Sequence, residues 1–214
     1  MAIPSSLSLV QLHSGQMKVF QSPHRFKVVC AGRRWGKSRL SISTIIRAAA
    51  KEKKQRVWYV APTYQMARQI LWDDLQEVLP RKWVRKKNDT TMTIVLKNGS
   101  EIALKGADKP DTLRGVALHF VVLDEFQDMK PDTWYKVLRP TLSSTRGGAL
   151  IIGTPKGFSE FHKLWQIGQD ETMQARGQWK TVDYRPERRA AKKGTVEELA
   201  VCNCRFSVCT YGGN

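Results

Sequence analysis

Apolar residues along this chain fall into two alternating patterns. Short runs at Phe26–Cys30 (FKVVC), Val57–Ala61 (VWYVA), Phe120–Leu123 (FVVL) and Ala149–Ile152 (ALII) have the length and composition of buried strands. Between them lie stretches with helical spacing. Leu40, Ile42, Ile45, Ile46 and Ala49 recur on one side of a helix predicted after the first run. Met66, Ile70, Leu71, Leu75 and Leu79 repeat that spacing from Tyr64 to Leu79, once Pro62 has closed the second run. Residues 92–104 differ: Met92–Leu96 and Ile102–Leu104 flank Asn98-Gly99, a dipeptide that favours a tight hairpin turn. Strands alternating with helices predict an α/β fold, with a mostly parallel sheet flanked by helices and one attached antiparallel β-hairpin. There is no internal repeat.

After about Gly168 the pattern fades. QDETMQARG is polar, QWKTV can form one last strand, and RPERRAAKKGTVEELAV is charged with room for a short helix. The ending NCRFSVCTYGGN has no clear pattern. The expected organisation is a core over residues 1–168 and a basic C-terminal segment over 169–214.

Composition narrows the classes. At 214 residues and 41% hydrophobic content the chain can bury one real core, which excludes a wholly disordered basic tail. No apolar run reaches the roughly 18 residues of a membrane span, and the N-terminus lacks the pattern of a signal peptide. Lys and Arg number 36 against 19 Asp and Glu, a formal charge of +17 that points to a polyanionic partner or, more plainly, to solubility. The charge is uneven, since residues 1–60 hold twelve Lys or Arg and a single acid, Glu52. Of four cysteines, Cys30 ends an apolar run and reads as a buried thiol. Cys202, Cys204 and Cys209 lack the paired spacing and nearby histidine of a zinc site, so they read as incidental in a reducing compartment.

Chemistry enters between the first strand and helix, at Ala31-Gly32-Arg33-Arg34-Trp35-Gly36-Lys37-Ser38. This is the Walker A spacing G-x4-G-K-[ST] with Ala31 in place of the first glycine. Backbone N–H groups of such a loop wrap phosphates, and the following helix adds partial positive charge. Lys37 neutralises β- and γ-phosphate oxygens and the Ser38 hydroxyl ligates Mg²⁺ in this pattern, while Gly36 permits close backbone approach. The run FVVL then places Asp124 and Glu125 at a strand's C-terminal end, where open α/β sheets bind ligands. Asp124 suits a magnesium ligand and Glu125 a group that orients or deprotonates water. Gly153-Thr154-Pro155 ends the ALII strand, where Thr154 could sense a γ-phosphate or simply form a turn. Trp58, Tyr59, Trp72, Trp134 and Trp165 read as packing residues rather than base-stacking ones.

In this order AGRRWGKS, WYVAPTYQMAR, LRG, VVLDEFQDM and IIGTPKGFSEFHKLW resemble the packaging ATPase domain of the tailed-phage terminase large subunit, over about residues 10–168. The upstream H-x-x-Q of that family is matched by His13-Ser14-Gly15-Gln16. The resemblance implies a RecA-like P-loop fold that binds ATP and Mg²⁺ and hydrolyses ATP to move double-stranded DNA into a procapsid. It implies an adenine-reading role for Gln16 and phosphate contacts for Arg33 and Arg34. Gly32, Trp35, Gly36, Lys37 and Ser38 complete the nucleotide loop, and Gly153-Thr154-Pro155 becomes a coupling motif. Arg114 in Leu113-Arg114-Gly115 resembles an arginine finger offered to a neighbouring subunit; the plainer reading is a surface or DNA-contacting arginine. Implied partners are further copies in a ring on a portal, a small terminase subunit and DNA, in the cytoplasm of an infected cell, with no membrane.

Large terminases continue into an RNase H-like nuclease, whereas only 46 residues follow Gly168. The acids among them, Asp170, Glu171, Asp183, Glu187, Glu197 and Glu198, sit on no apolar strand ends that could assemble a two-metal site. The expectation is a chain without nuclease activity: a truncated piece, one part of an interrupted gene, or a product with an altered reading frame near its end. Two rival functions use the same residues. One is an ATP-driven helicase or repair translocase; the other is a non-enzymatic DNA-binding assembly protein with a vestigial nucleotide site.

Overall fold

A computed structural model describes residues 10–154, 156, 159–176 and 178–183. The chain enters α1 (Ser14–Gln21), capped by His13, whose Nδ1 accepts from the N–H groups of Gly15 and Gln16. Gln16 Oε1 returns the contact by accepting from the His13 N–H, which closes a capping box. There follow β1 (Phe26–Cys30), α2 (Lys37–Lys51), β2 (Arg56–Ala61) and α3 (Tyr64–Ala67). A π-helical turn (Arg68–Trp72) carries α3 into α4 (Asp73–Val78), so the helix expected over 64–79 forms with a wide turn at its middle. Next come β3 (Val84–Asn88), β4 (Thr93–Leu96), β5 (Glu101–Gly106) and β6 (Phe120–Leu123). A second π turn (Thr133–Leu138) leads into α5 (Arg139–Thr141), followed by β7 (Gly148–Gly153), α6 (Glu160–Gln169), α7 (Glu171–Ala175) and β8 (Trp179–Asp183).

The strands form one sheet in the order β3-β4-β5-β2-β6-β7-β1-β8. Every pairing from β5 across to β8 is parallel, and β3 and β4 extend that edge antiparallel. Both faces of the parallel part are covered, which is why β1 and β7 are buried almost throughout. Alternate residues feed two cores. Val29, Tyr59, Leu104, Val122 and Ile152 face α1, α2 and the helix at 64–78, with Leu40, Ile45, Trp72 and Leu75. Val28, Trp58, Val60, Leu123 and Ile151 face the other side, with Trp134, Leu138, Phe161 and Leu164. Trp58, Tyr59, Trp72 and Trp134 are thus packing residues, as expected, and Cys30 is buried, as expected.

The hairpin is built differently from the expected appendage. β5 pairs in parallel with β2 from Arg56↔Glu101 to Ala61↔Gly106, so the second hairpin strand belongs to the main sheet. Its loop is four residues long, with Gly99 left-handed at φ +83°. The Asn98 carboxamide donates to the carbonyls of Ala49 (2.9 Å) and Glu52 (3.1 Å), binding the loop to the end of α2. β3, VRKKN, gave no strand pattern; it is an exposed edge strand whose lysines discourage further pairing.

The run QWKTV becomes β8, which pairs with β1 and carries the sheet past residue 168. Residue 168 itself lies inside α6. The expected short helix beyond residue 184, the basic run Arg185–Lys193, Cys202, Cys204, Cys209, Glu187, Glu197 and Glu198 lie outside the described residues. No helix among the described residues is long and apolar enough to cross a membrane.

Candidate nucleotide site

The register of the sheet brings three strand ends to one edge. Cys30 at the end of β1 pairs with Gly153 at the end of β7, and Leu123 at the end of β6 pairs with Ile151. The 31–38 loop leaves β1 here and turns into α2 through two left-handed residues, Arg34 (φ +63°) and Gly36 (φ +89°). A Cβ on Gly36 would sit 2.3 Å from Gln16 Nε2, so both the backbone angle and the space require glycine.

The inner side of this loop is held by α1. Gln16 is 2% exposed, and its Nε2 donates to the carbonyls of Trp35 (3.1 Å) and Gly36 (2.9 Å). Because His13 Nδ1 accepts from the helix N–H groups, its Nε2 carries the proton and donates to Trp35 O at 3.2 Å. The Trp35 ring is buried, edge-on to His13 at 5.1 Å between centroids. Trp35 and Gln16 therefore anchor the loop from inside. Gly32, Arg33 and Arg34 lie on its exposed outer side.

Lys37 opens α2 and points across the strand ends. Its Nζ donates to Thr154 Oγ1 (2.7 Å) and to Ala31 O (3.4 Å), and lies 3.2 Å from Glu125 Oε1. Thr154 Oγ1 is also 3.5 Å from Glu125 Oε2. Residues from the ends of β1, β6 and β7 thus meet in one polar cluster. Ser38 follows Lys37 on α2 and is half-buried.

Asp124 lies beneath this cluster, 2% exposed. Its Oδ2 accepts from the Tyr59 hydroxyl at 2.8 Å and its Oδ1 from the Glu125 N–H at 2.9 Å. Burial pushes the Asp124 carboxyl up, and burial beside Asp124 pushes the Tyr59 phenol up further. A buried carboxylate with no ion-pair partner among the described residues fits a divalent cation. No group of three or more His, Cys, Asp or Glu is gathered as a metal site among the described residues. A magnesium ion here would be held by Asp124 and Ser38 and completed by phosphate oxygens and water.

Glu125 is itself left-handed, at φ +50°, an unusual backbone state for this side chain. Gln127 holds it: Nε2 donates to Glu125 Oε2 at 2.6 Å, and Oε1 accepts from the Thr154 N–H at 3.1 Å. Tyr59 and Gln127 carry no motif of their own. Tyr59 reads as one more apolar strand residue and Gln127 as part of a polar loop.

A family model described as "Terminase large subunit, T4likevirus-type, N-terminal" matches residues 28–201. The chain belongs to the terminase large-subunit family. The terminase large subunit of Thermus phage G20c is 33% identical over 176 residues, which cover 73% of this chain and 36% of that protein. The chain therefore spans little more than a third of the length of that relative. Among solved structures, the large terminase ATPase domain of Thermus phage P74-26 matches with a TM-score of 0.68 and 27% identity, over 81% of this chain and 80% of that one. The large terminase of a thermophilic bacteriophage, solved in complex with ATP-γ-S, shares the fold, with a TM-score of 0.61, 17% identity, and coverage of 80% and 44%.

Within this terminase fold Arg114 stands apart from the cluster. Its side chain is 55% exposed, with Nε donating to Asp111 Oδ1 at 2.9 Å, just before left-handed Gly115. It lines a shallow groove of about 360 Å³ with Lys136, Val137 and Thr141.

Proposed function

We propose that this chain binds ATP with Mg²⁺ at the strand ends, hydrolyses it, and uses the energy to draw double-stranded DNA into a procapsid. The observation that carries the reading is the convergence of Lys37 from the start of α2 with Glu125 and Thr154 from the ends of β6 and β7, beside a buried Asp124. Phosphates lie along the 31–38 loop, with its N–H groups, Arg33 and Arg34 around them. Magnesium supplies charge neutralisation at the β- and γ-phosphate oxygens when bound by Asp124 and Ser38. Lys37 stabilises the charge that spreads over the transferred phosphoryl. Glu125 accepts the proton of the water that attacks the γ-phosphorus, as the bond to the β-phosphate oxygen breaks to release ADP and phosphate.

Support for DNA as the partner comes from charge. Lys51, Lys53 and Lys54 at the end of α2 adjoin the loop carrying Lys97, through Lys54 N to Asn98 O at 3.3 Å. Lys97 N in turn donates to Trp83 O at 2.8 Å, next to exposed Arg81 and Lys82. Such a face grips phosphates without reading bases, as a translocating motor requires, and its grip falls steeply with salt. The packaging role further places the chain in a homo-oligomeric ring on a portal, with a small terminase subunit, in the host cytoplasm.

The deciding experiment is Glu125→Gln assayed for ATP binding and for turnover. Binding is expected to stay within a few-fold of wild type, while turnover falls by at least about 10². Wild-type turnover in the variant overturns the assignment of Glu125. Strand separation of a duplex by the wild-type chain would favour a helicase instead.

A further inference from the structure

Gln127 lies between two parts of the site that the proposed chemistry must connect. Its amide orientation is fixed from both sides. The Glu125 carboxylate can only accept, so it faces Nε2; the Thr154 N–H can only donate, so it faces Oε1. A flipped amide would set oxygen against carboxylate and N–H against N–H. The carboxamide is thus an adaptor between an acceptor at the end of β6 and a donor at the end of β7.

The surroundings are built to keep it there. A Cβ on Gly153 would sit 2.5 Å from Gln127 Oε1 and 3.0 Å from the Phe161 ring, so glycine at the end of β7 leaves room for both. Phe161 belongs to α6 and packs against Phe126, with ring centroids 6.3 Å apart. Lys156, after the β7 end, pairs with Asp128 at 2.7 Å, and Asp128 also accepts from Gln127 Nε2 at 3.2 Å. The Phe126–Asp128 turn, the end of β7 and α6 therefore pack as one unit around the carboxamide.

Two groups hold the Glu125 carboxylate closely: Lys37 at 3.2 Å on Oε1 and Gln127 at 2.6 Å on Oε2. A bound phosphate competes for Lys37, since both are its natural counter-charges. As Lys37 turns to the phosphate, Gln127 is left to determine where the carboxylate points. We propose that Gln127 is a positioning residue: it holds the Glu125 carboxylate toward the attacking water and ties it to the Thr154 backbone, so that the state of the γ-phosphate is passed to β7 and α6. This rests on the ATPase reading of the same site.

The test uses the full chain with Gln127→Met, which keeps length but removes both hydrogen bonds, and Gln127→Glu, which keeps shape but replaces the donor with a like charge. ATP turnover, ATP affinity, thermal midpoint and amide hydrogen exchange over residues 160–169 are measured, at protein concentrations where wild-type turnover has saturated. Both variants are expected to lose at least tenfold in kcat and to bind ATP within about twofold of wild type, while Tm falls by only the few degrees that the lost hydrogen bonds account for. A nucleotide-dependent change in exchange over 160–169 is expected in wild type and is expected to vanish in both variants. Gln127→Met added to Glu125→Gln is expected to cost nothing more in rate, because the carboxylate it positions is already gone. Wild-type kcat in both variants, or fully additive losses in the double variant, overturns the proposal. A wild-type chain that turns over no ATP at any concentration would instead sink the ATPase reading beneath it.

Discussion

Gln16 shows how a motif residue acquires its role from its neighbours. The family resemblance implies that it reads adenine, yet every polar atom of its carboxamide meets protein: Oε1 takes the His13 N–H and Nε2 serves Trp35 O and Gly36 O. An amide so committed holds the 31–38 loop in shape, and a base would have to displace those bonds to be read. Each neutral hydrogen bond is worth about 1 kcal/mol net, and a buried carbonyl left unpaired costs about 1–3 kcal/mol. Gln16→Ala is therefore expected to weaken nucleotide binding by roughly tenfold or more, and to weaken ATP and GTP alike. Binding titrations with both nucleotides check this. Loss confined to ATP would make Gln16 a base reader after all. Gly36 is constrained by the same carboxamide, so the Walker A glycine and the upstream glutamine act as one packed pair.

At the scale of elements, β1 contains an unexpected burden. Lys27 is the second residue of the strand leading to the 31–38 loop, 7% exposed, with Nζ donating to Val19 O at 3.2 Å. Burial, and next the nearby Arg47 charge, lower its ammonium to about 8 from the ordinary 10.5. Between those values the unfolded chain keeps a proton that the folded chain has released, so this group makes stability rise with pH across that window. Below pH 8 both states are charged and the folded state carries the full penalty, about 3 kcal/mol. Lys27→Met is expected to raise the urea midpoint at pH 7 and to flatten the rise between pH 8 and 10.5. The gain should stay below that penalty, because the hydrogen bond to Val19 O is lost, worth about 1 kcal/mol. Paired urea titrations of both proteins at pH 7, 8, 9 and 10.5 measure it, and an unchanged difference across pH would remove Lys27 as the cause. The same strand was legible in sequence despite its lysine, because Phe26, Val28, Val29 and Cys30 fill both faces. β6 and β7 were legible for the same reason, and with them the strand ends at which Lys37, Glu125 and Thr154 meet. β3 was not, because VRKKN has no apolar alternation and is a strand only through the free edge of β4. The π turns were hidden too, since one wide turn barely disturbs the spacing of Ile70, Leu71 and Leu75. Tyr59 and Gln127 escaped for a different reason. Tyr59 meets Asp124, 65 residues away, and Gln127 meets Thr154, 27 residues away, as well as its neighbour Glu125; the sheet register brings these distant pairs together.

For the whole molecule, the division of charge bears on whether one chain can work alone. Lys37 is engaged inside the site, whereas Arg114 lies outside it, paired with Asp111 alone among the described residues, in an exposed pair of little energetic worth. On the ring proposed above, an arginine so placed, next to left-handed Gly115, would reach a neighbour's phosphates at small cost. Where an arginine finger has been measured its effect is about 10³–10⁵ in rate, which far exceeds anything a surface arginine contributes. Arg114→Ala is thus expected to bind ATP as wild type does and to lose turnover by about 10³ in assembled protein. Its loss should be repaired by mixing. Lys37→Ala subunits are expected to lose their own turnover but still present Arg114, so adding them to Arg114→Ala subunits should restore hydrolysis at the intact Lys37 sites. The mixture is measured against each variant alone, over a range of total protein concentration. Recovery that grows with concentration locates the finger in the neighbouring subunit. No recovery at any concentration would mean that Arg114 acts within its own chain or only on DNA, and would leave ring formation without a catalytic reason.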